Sequence, residues 1–263
     1  MIAIDNPAFD YDNVGQEDAG HRQTDPRIAA YVFGDLTGMK TVLNVGEVAG
    51  SYEPADIHMT AIEPSIVMRE QRLANGKIPA INATAASIPF DDNSFDAVMA
   101  MVTVHHWPDM EKGLRELKRV AKKKVIVMTF DPDCLGDFWN AKYFPEVIEI
   151  ERQRYPKNEL IVNALGGNCE LKPIPIPFDC VDGFQEAFYG RPEAFLSKSV
   201  RTNQSAWGFL HEGTDPEIVK RLADDLVSGK WDELYGENRT MPTFTSTLQL
   251  IVASLLFETI KPR

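Results

Sequence analysis

Thr41-Val42-Leu43-Asn44-Val45-Gly46-Glu47-Val48-Ala49-Gly50-Ser51-Tyr52 decides the reading of this chain, together with Met59-Thr60-Ala61-Ile62-Glu63-Pro64. A short apolar strand runs into a turn bearing Gly46 and Gly50. A second short strand ends on a carboxylate, Glu63, 17 positions beyond Gly46 (63 − 46). Glycine allows positive φ and close approach of the backbone to a ligand. A carboxylate at the end of the next strand is placed to accept hydrogen bonds from ribose hydroxyls. The pair therefore points to an α/β sheet that holds a nucleoside.

Working outward, Asp25-Pro26 reads as a helix N-cap followed by proline, and Ile28, Ala29, Val32 and Phe33 form an apolar helical stripe. Residues 41–45 and 57–62 are expected strands, Ser65 caps a helix over 66–74, and Ile78–Ile81 is an expected third strand. Phe95–Val102 is almost wholly apolar, as a strand buried on both faces should be. Asp109 starts a helix carrying Leu114, Leu117 and Val120, and Val125–Phe130 is a fifth strand. This alternation predicts a mostly parallel, Rossmann-like sheet of seven strands, the last antiparallel, with a helical cap insertion. The expected organisation is an N-terminal arm or lid over 1–24, a nucleoside-binding core over 25–131, a substrate-covering cap over 132–240 and a C-terminal strand within 241–263. The cap includes an edge strand near 171–179, where Pro173, Pro175 and Pro177 exclude a central strand. It also includes helices near 146–155, 191–200 and 216–228.

The composition, 44% hydrophobic and 25% charged over 263 residues, suffices for a full core. A net charge of −12 argues against nucleic acid as a partner, because neutralising phosphates needs a basic surface. Three cysteines, Cys134, Cys169 and Cys180, neither pair evenly nor space as zinc ligands, so no metal site is expected and a reduced, cytoplasmic setting fits. The N-terminus lacks the pattern of a signal peptide, and the apolar run Leu248–Phe257 is too short to span a bilayer. The expected partners are a small-molecule acceptor and no membrane, with a monomer or homodimer as the assembly.

Four segments occur in order: Asn44-Val45-Gly46 to Gly50, Ile62-Glu63-Pro64-Ser65, Ile88-Pro89-Phe90-Asp91-Asp92-Asn93-Ser94-Phe95-Asp96, and Val104-His105-His106-Trp107-Pro108-Asp109. Together they resemble the class I S-adenosylmethionine-dependent methyltransferases, specifically the small-molecule type 11 group, over roughly residues 20–130. The resemblance implies S-adenosyl-L-methionine as cofactor. It implies that Gly46 and Gly50 face its methionine part, Glu63 takes the ribose hydroxyls, and Pro64 lies beside the adenine. Thr84 and Ala85 match the position contacting the adenine amino group. The backbone from Met101 through Val102 to Thr103 faces the sulfonium, and Arg22 is a candidate for the cofactor carboxylate. His105 and His106 fall near the transferred methyl, where one could serve as general base or simply shape the turn. Asp131 is a second candidate base.

The implied activity is methyl transfer to an O, N or S atom of a small molecule. Three departures from the family pattern motivate alternatives: Val48 within the glycine turn, Thr84 where aspartate is usual, and Asp18 near a usual tyrosine. One alternative is a non-catalytic binding or scaffold protein. Another is an enzyme using the adenosyl ligand for a rearrangement or cyclisation. An NAD oxidoreductase is disfavoured because Val48 and Ser51 stand where its further glycines belong. Trp139, Tyr143 and Phe144 are expected in the core of the cap or lining an acceptor pocket, and Cys134 is expected to be inert.

Overall fold

The computed structural model describes residues 23–46, 50–166, 168–211 and 213–255. Arg22, Asp18 and Val48 therefore lie outside the described residues. Eight strands are present among them: β1 (Thr41–Val45), β2 (His58–Ile62), β3 (Phe95–Met101), β4 (Ala121–Phe130), β5 (Cys169–Pro173), β6 (Ile176–Pro177), β7 (Thr243–Phe244) and β8 (Leu248–Ser254). The helices are α1 (Pro26–Asp35), α2 (Ile66–Ala74), α3 (Met110–Val120), α4 (Asn140–Tyr143), α5 (Pro145–Arg154), α6 (Asn158–Leu165), α7 (Lys198–Thr202), α8 (Thr214–Ser228) and α9 (Lys230–Tyr235).

Six strands form one sheet in the order β2-β1-β3-β4-β8-β5, and β6 pairs antiparallel with β7 in a separate ribbon. β1 pairs parallel with both β2 and β3, and β3 pairs parallel with β4. The amide of Asp131 donates to Thr247 O and that of Leu255 to Lys123 O, so β8 runs antiparallel to β4, as expected of the last strand.

Among the described residues, the expected seventh strand of this sheet is absent. Residues 78–81 contribute only a parallel bridge between Ile81 and Ile62, because Pro79 has no N–H to extend a ladder. β4 starts four residues earlier than the apolar pattern indicates. Lys122, Lys123 and Lys124 conceal its beginning, since α3 runs directly into the strand without a loop. The helix expected over 191–200 is broken into a 3-10 turn, Pro192–Leu196, and α7, with Ser197 extended between them.

The chain divides into two compact units. One comprises 32–128, 158–172 and the residues from 250; the other comprises the residues up to 31, 129–157 and 173–249. The first, the sheet unit, is organised around β1 and β3, whose side chains are buried on both faces. Leu43, Val45, Val98, Ala100, Leu114 and Leu117 share one apolar cluster, with Ile161 and Leu165 of α6 packed into it. α2 begins where Ser65 Oγ accepts the Met68 amide, and α3 where the Asp109 carboxylate accepts the Lys112 amide, so both expected caps form.

The second unit has an aromatic core. The Trp139 ring meets Phe195 and Trp231 edge-on, each at 5.6 Å between centroids, and its Nε1 donates to Tyr189 O. Tyr143 and Phe144 are buried with it, so these three aromatics pack the unit's interior. Asp25 caps α1 by accepting the Arg27 amide at 2.9 Å. Burial works against its charge, but hydrogen bonds from the Arg27 side chain and from the Arg27 and Val181 amides win and hold its pKa near 2.

Candidate functional site

In an open α/β sheet the ligand crevice lies outside the carboxyl ends of the strands, where the strand order reverses. Here the chain leaves β1 for β2 on one side and returns to β3 on the other, so the reversal falls between β1 and β3. Three of the sequence-derived positions meet at that point. Gly46 ends β1 with φ +65°, and its amide donates to Ile62 O at 3.0 Å, tying the turn to the end of β2. On its other side Gly46 abuts Thr103, just past β3; a Cβ at position 46 would overlap the Thr103 hydroxyl. Glycine is required here twice over, by its dihedral and by this contact.

Glu63 follows β2 directly and is buried. Its Oε1 accepts the Ser65 amide at 2.9 Å, and its own amide donates to Ile81 O, so both the backbone and the carboxylate are held in one orientation. Pro64 is exposed, and its carbonyl accepts from Arg69 Nη1. Thr84 is also exposed and closes a tight turn by accepting the Ser87 amide, whereas the Ala85 methyl packs in the apolar cluster.

At the end of β3, Met101 is buried and Val102 adopts φ +51°. Left-handed backbone is unfavourable for a β-branched residue and stores about 1–3 kcal/mol of strain. The Val102 amide donates to Met128 O at 2.8 Å, which anchors the kink to β4. Thr103 then opens the 3-10 turn Val104–His106, and its carbonyl accepts the His106 amide. His105 is buried, His106 is half-buried, and their rings lie 3.8 Å apart between centroids.

Gly50, at φ +93°, lies on a different neighbour set. A Cβ there would meet Lys77 Cγ at 2.9 Å and Arg72 Nη1 at 3.1 Å. Behind it is a buried polar network that no sequence pattern announces. Arg72 and Glu53 pair bidentately at 2.9 and 3.2 Å, Arg72 Nε donates to Ile78 O, and Asn44 Nδ2 donates to the same Glu53. The network joins β1, the segment after the glycine turn, α2 and residue 78. The sequence placed this backbone segment at the site, but not the strain at Val102 or the contact of Thr103 with Gly46, because close approach and backbone strain follow from the register of β1 against β3.

In the second unit, the Asp131 carboxylate accepts the Asp133 amide within a turn. The Cys134 thiol is pushed up by burial and then by Asp131, Asp137, Asp133 and Glu186, in keeping with an inert cysteine. Among the described residues no cluster of three or more His, Cys, Asp or Glu could hold a metal ion, and no helix is long and apolar enough to cross a membrane.

A parallel sheet with a glycine turn at its switch point and an oriented carboxylate on the next strand defines the class I nucleoside-binding fold. Residues 43–129 match the family model of the methyltransferase domain. Over 89% of this chain and 99% of that one, the fold superimposes with a TM-score of 0.81, at 26% identity, on a putative methyltransferase from an antibiotic biosynthesis pathway of Anabaena variabilis. A methyltransferase of Thermotoga maritima described as S-adenosylmethionine-dependent, possibly acting on histamine, shares the fold at 17% identity, with a TM-score of 0.52 over 89% of this chain and 90% of that one. A ubiquinone/menaquinone biosynthesis C-methyltransferase of Citrifermentans bemidjiense is 31% identical over 126 residues, 41% of this chain and 53% of that protein. The chain thus spans about half the length of that curated relative. The match over residues 43–129 and the shared fold are consistent with a class I S-adenosylmethionine-dependent methyltransferase of the type 11 group.

Proposed function

We propose that this protein transfers the methyl group of S-adenosylmethionine to an O, N or S atom of a small molecule. The observation that carries the reading is the meeting of Gly46, Glu63 and Thr103 at the ends of β1, β2 and β3. The residues present suit the cofactor: Gly46 offers backbone with no side chain in a crevice, and the Glu63 carboxylate is fixed where ribose hydroxyls would donate to it. In this reading Gly46 and Gly50 border the methionine part, Arg22 meets its carboxylate, Pro64, Thr84 and Ala85 border the adenine, and Met101 and Val102 lie along the sulfonium.

Bound S-adenosylmethionine supplies a methyl already activated by its sulfonium. The chain's work is then to align the acceptor and exclude water, an effect of about 7–11 kcal/mol for well-oriented reactants. Where the acceptor must lose a proton as it attacks, His106 is the assigned base, being more exposed than His105 on the turn after β3. The carbon-methylating relative is a reason to include carbon acceptors in a substrate screen.

Isothermal titration with S-adenosylmethionine and S-adenosylhomocysteine tests the reading. Micromolar binding that Glu63→Ala weakens roughly tenfold or more supports it. Absence of binding to the native chain would favour a scaffold role, and Val48→Gly would then be examined for restored binding. Product formation without homocysteine-containing by-product would favour the rearrangement reading instead.

A further inference from the structure

α3 carries a glycine in its interior, Gly113, where alanine is the better helix former. The helix is regular around it: the Asp109 carboxylate caps the start, and the Gly113 amide donates to Asp109 O at 3.0 Å. What the glycine makes room for is a ring. A Cβ at position 113 would lie 2.5 Å from Trp107 Cε3, 2.9 Å from Trp107 Cζ3 and 3.2 Å from the Ala85 methyl. The six-membered ring of Trp107 and the Ala85 methyl thus share the space that a side chain on α3 would fill.

Each of these contacts belongs to a turn of the site. Trp107 ends the 3-10 turn Val104–His106 and is the immediate neighbour of His106. Its amide donates to Val104 O at 3.3 Å, and Pro108 after it favours the extended backbone it adopts, with ψ 126°. Ala85 lies in the turn that Thr84 closes on Ser87. Beyond that turn Ile88 is tied to α3 as well: its amide donates to Glu116 Oε2 at 3.1 Å, and its carbonyl accepts from Arg119 Nη2 at 3.1 Å. Trp107 is half-buried and packs against the apolar cluster containing Ala85, Leu114 and Leu117. A rigid ring held between two anchored segments at interior packing density leaves little play between them.

We propose that Trp107 is a positioning residue: its ring, seated on Gly113 and beside Ala85, fixes the turn carrying His105 and His106 relative to the turn that borders the adenine. The proposal rests on the methyltransferase reading above for what the two turns do. That Trp107 holds them in place is independent of it and is measured without a methyl acceptor.

The test is Gly113→Ala in the full chain. On a helix free of this contact the change would raise the melting temperature, by helix propensity and by restricting the unfolded chain. Here it should lower it by several degrees and move the Cα and carbonyl carbon resonances of Val104, His105 and His106, which report backbone conformation. It should also weaken S-adenosylhomocysteine roughly tenfold by isothermal titration, the size of ordinary overpacking strain. Adding Trp107→Phe, which removes the fused six-membered ring, should return all three readouts towards native values. Trp107→Leu in the otherwise native chain makes no demand on the space at Gly113 and decides the matter should Gly113→Ala not fold: it should move the Val104 and His105 resonances and weaken S-adenosylhomocysteine likewise. A raised melting temperature for Gly113→Ala, unmoved backbone resonances in either variant, or no recovery on adding Trp107→Phe would overturn the proposal and leave the ring as core packing alone. If the native chain binds no S-adenosylhomocysteine, the cofactor reading fails, and the melting and resonance comparisons still decide the role of Trp107.

Discussion

Raising the pH from 5 to 8 should destabilise this protein through Glu186, and Glu186→Gln should remove that component. The carboxyl moves from 4.5, its ordinary value, to about 7 in the folded chain because burial penalises the charged form. The folded state therefore holds the proton that the unfolded state releases between those values. Below pH 4.5 both states are protonated and the group is neutral in effect. As pH rises towards 7 stability falls, and above 7 the full penalty is present. At 1.36 kcal/mol per pH unit, the displacement amounts to about 3 kcal/mol in total, of which roughly 2–3 kcal/mol develops between pH 5 and 8. The glutamine introduced by Glu186→Gln would keep an acceptor for Thr247 and carry no charge. Urea unfolding of both proteins at pH 5 and pH 8, without ligand, provides the comparison. With an m-value near 3 kcal/mol per molar, the native-minus-variant difference in midpoint should change by roughly 0.7–1 M in favour of the variant at pH 8. The same difference at both pH values would refute the reasoning, showing that Glu186 is not protonated on folding.

Other outcomes follow from the sheet unit. Arg72→Met leaves Glu53 buried without its guanidinium and should cost about 3–5 kcal/mol, read as a lower thermal midpoint, with Glu53→Leu added to it recovering much of the loss. Gly46→Ala forces a side chain into positive φ and against Thr103, so it should lower both the melting temperature and S-adenosylhomocysteine affinity, whereas an unaffected melting curve would show that the turn relaxes freely. Glu63→Ala should weaken S-adenosylhomocysteine roughly tenfold or more by titration calorimetry while leaving the melting curve of the unliganded chain within a few degrees. His106→Ala should lower kcat on an acceptor that loses a proton and leave cofactor affinity unchanged; an unchanged kcat would assign the histidine to the turn alone.

Local chemistry made much of the sheet unit legible. Val42, Leu43 and Val45 before Gly46, and the apolar run from Phe95, mark strands buried on both faces, and Ser65 and Asp109 mark helix starts through their own side-chain hydrogen bonds. Glu63 could be singled out because its position relative to a strand end and a glycine is a property of sequence spacing. Failures of the pattern were equally physical. Pro79 reduced an apolar segment to one bridge, and three lysines concealed the start of β4.

What the sequence by itself determined is the alternation of strand and helix, the glycine turn and the carboxylate that follows it, since each depends on a few neighbouring residues. Tertiary structure alone decided that Thr103 closes on Gly46, that Val102 is strained, that Arg72 is buried against Glu53, and that Glu186 is buried and bonded to Thr247, 61 residues away. Those are contacts between residues distant in the chain. Their energies come from desolvation and close packing, which exist only once the strands are in register and the interior is dry.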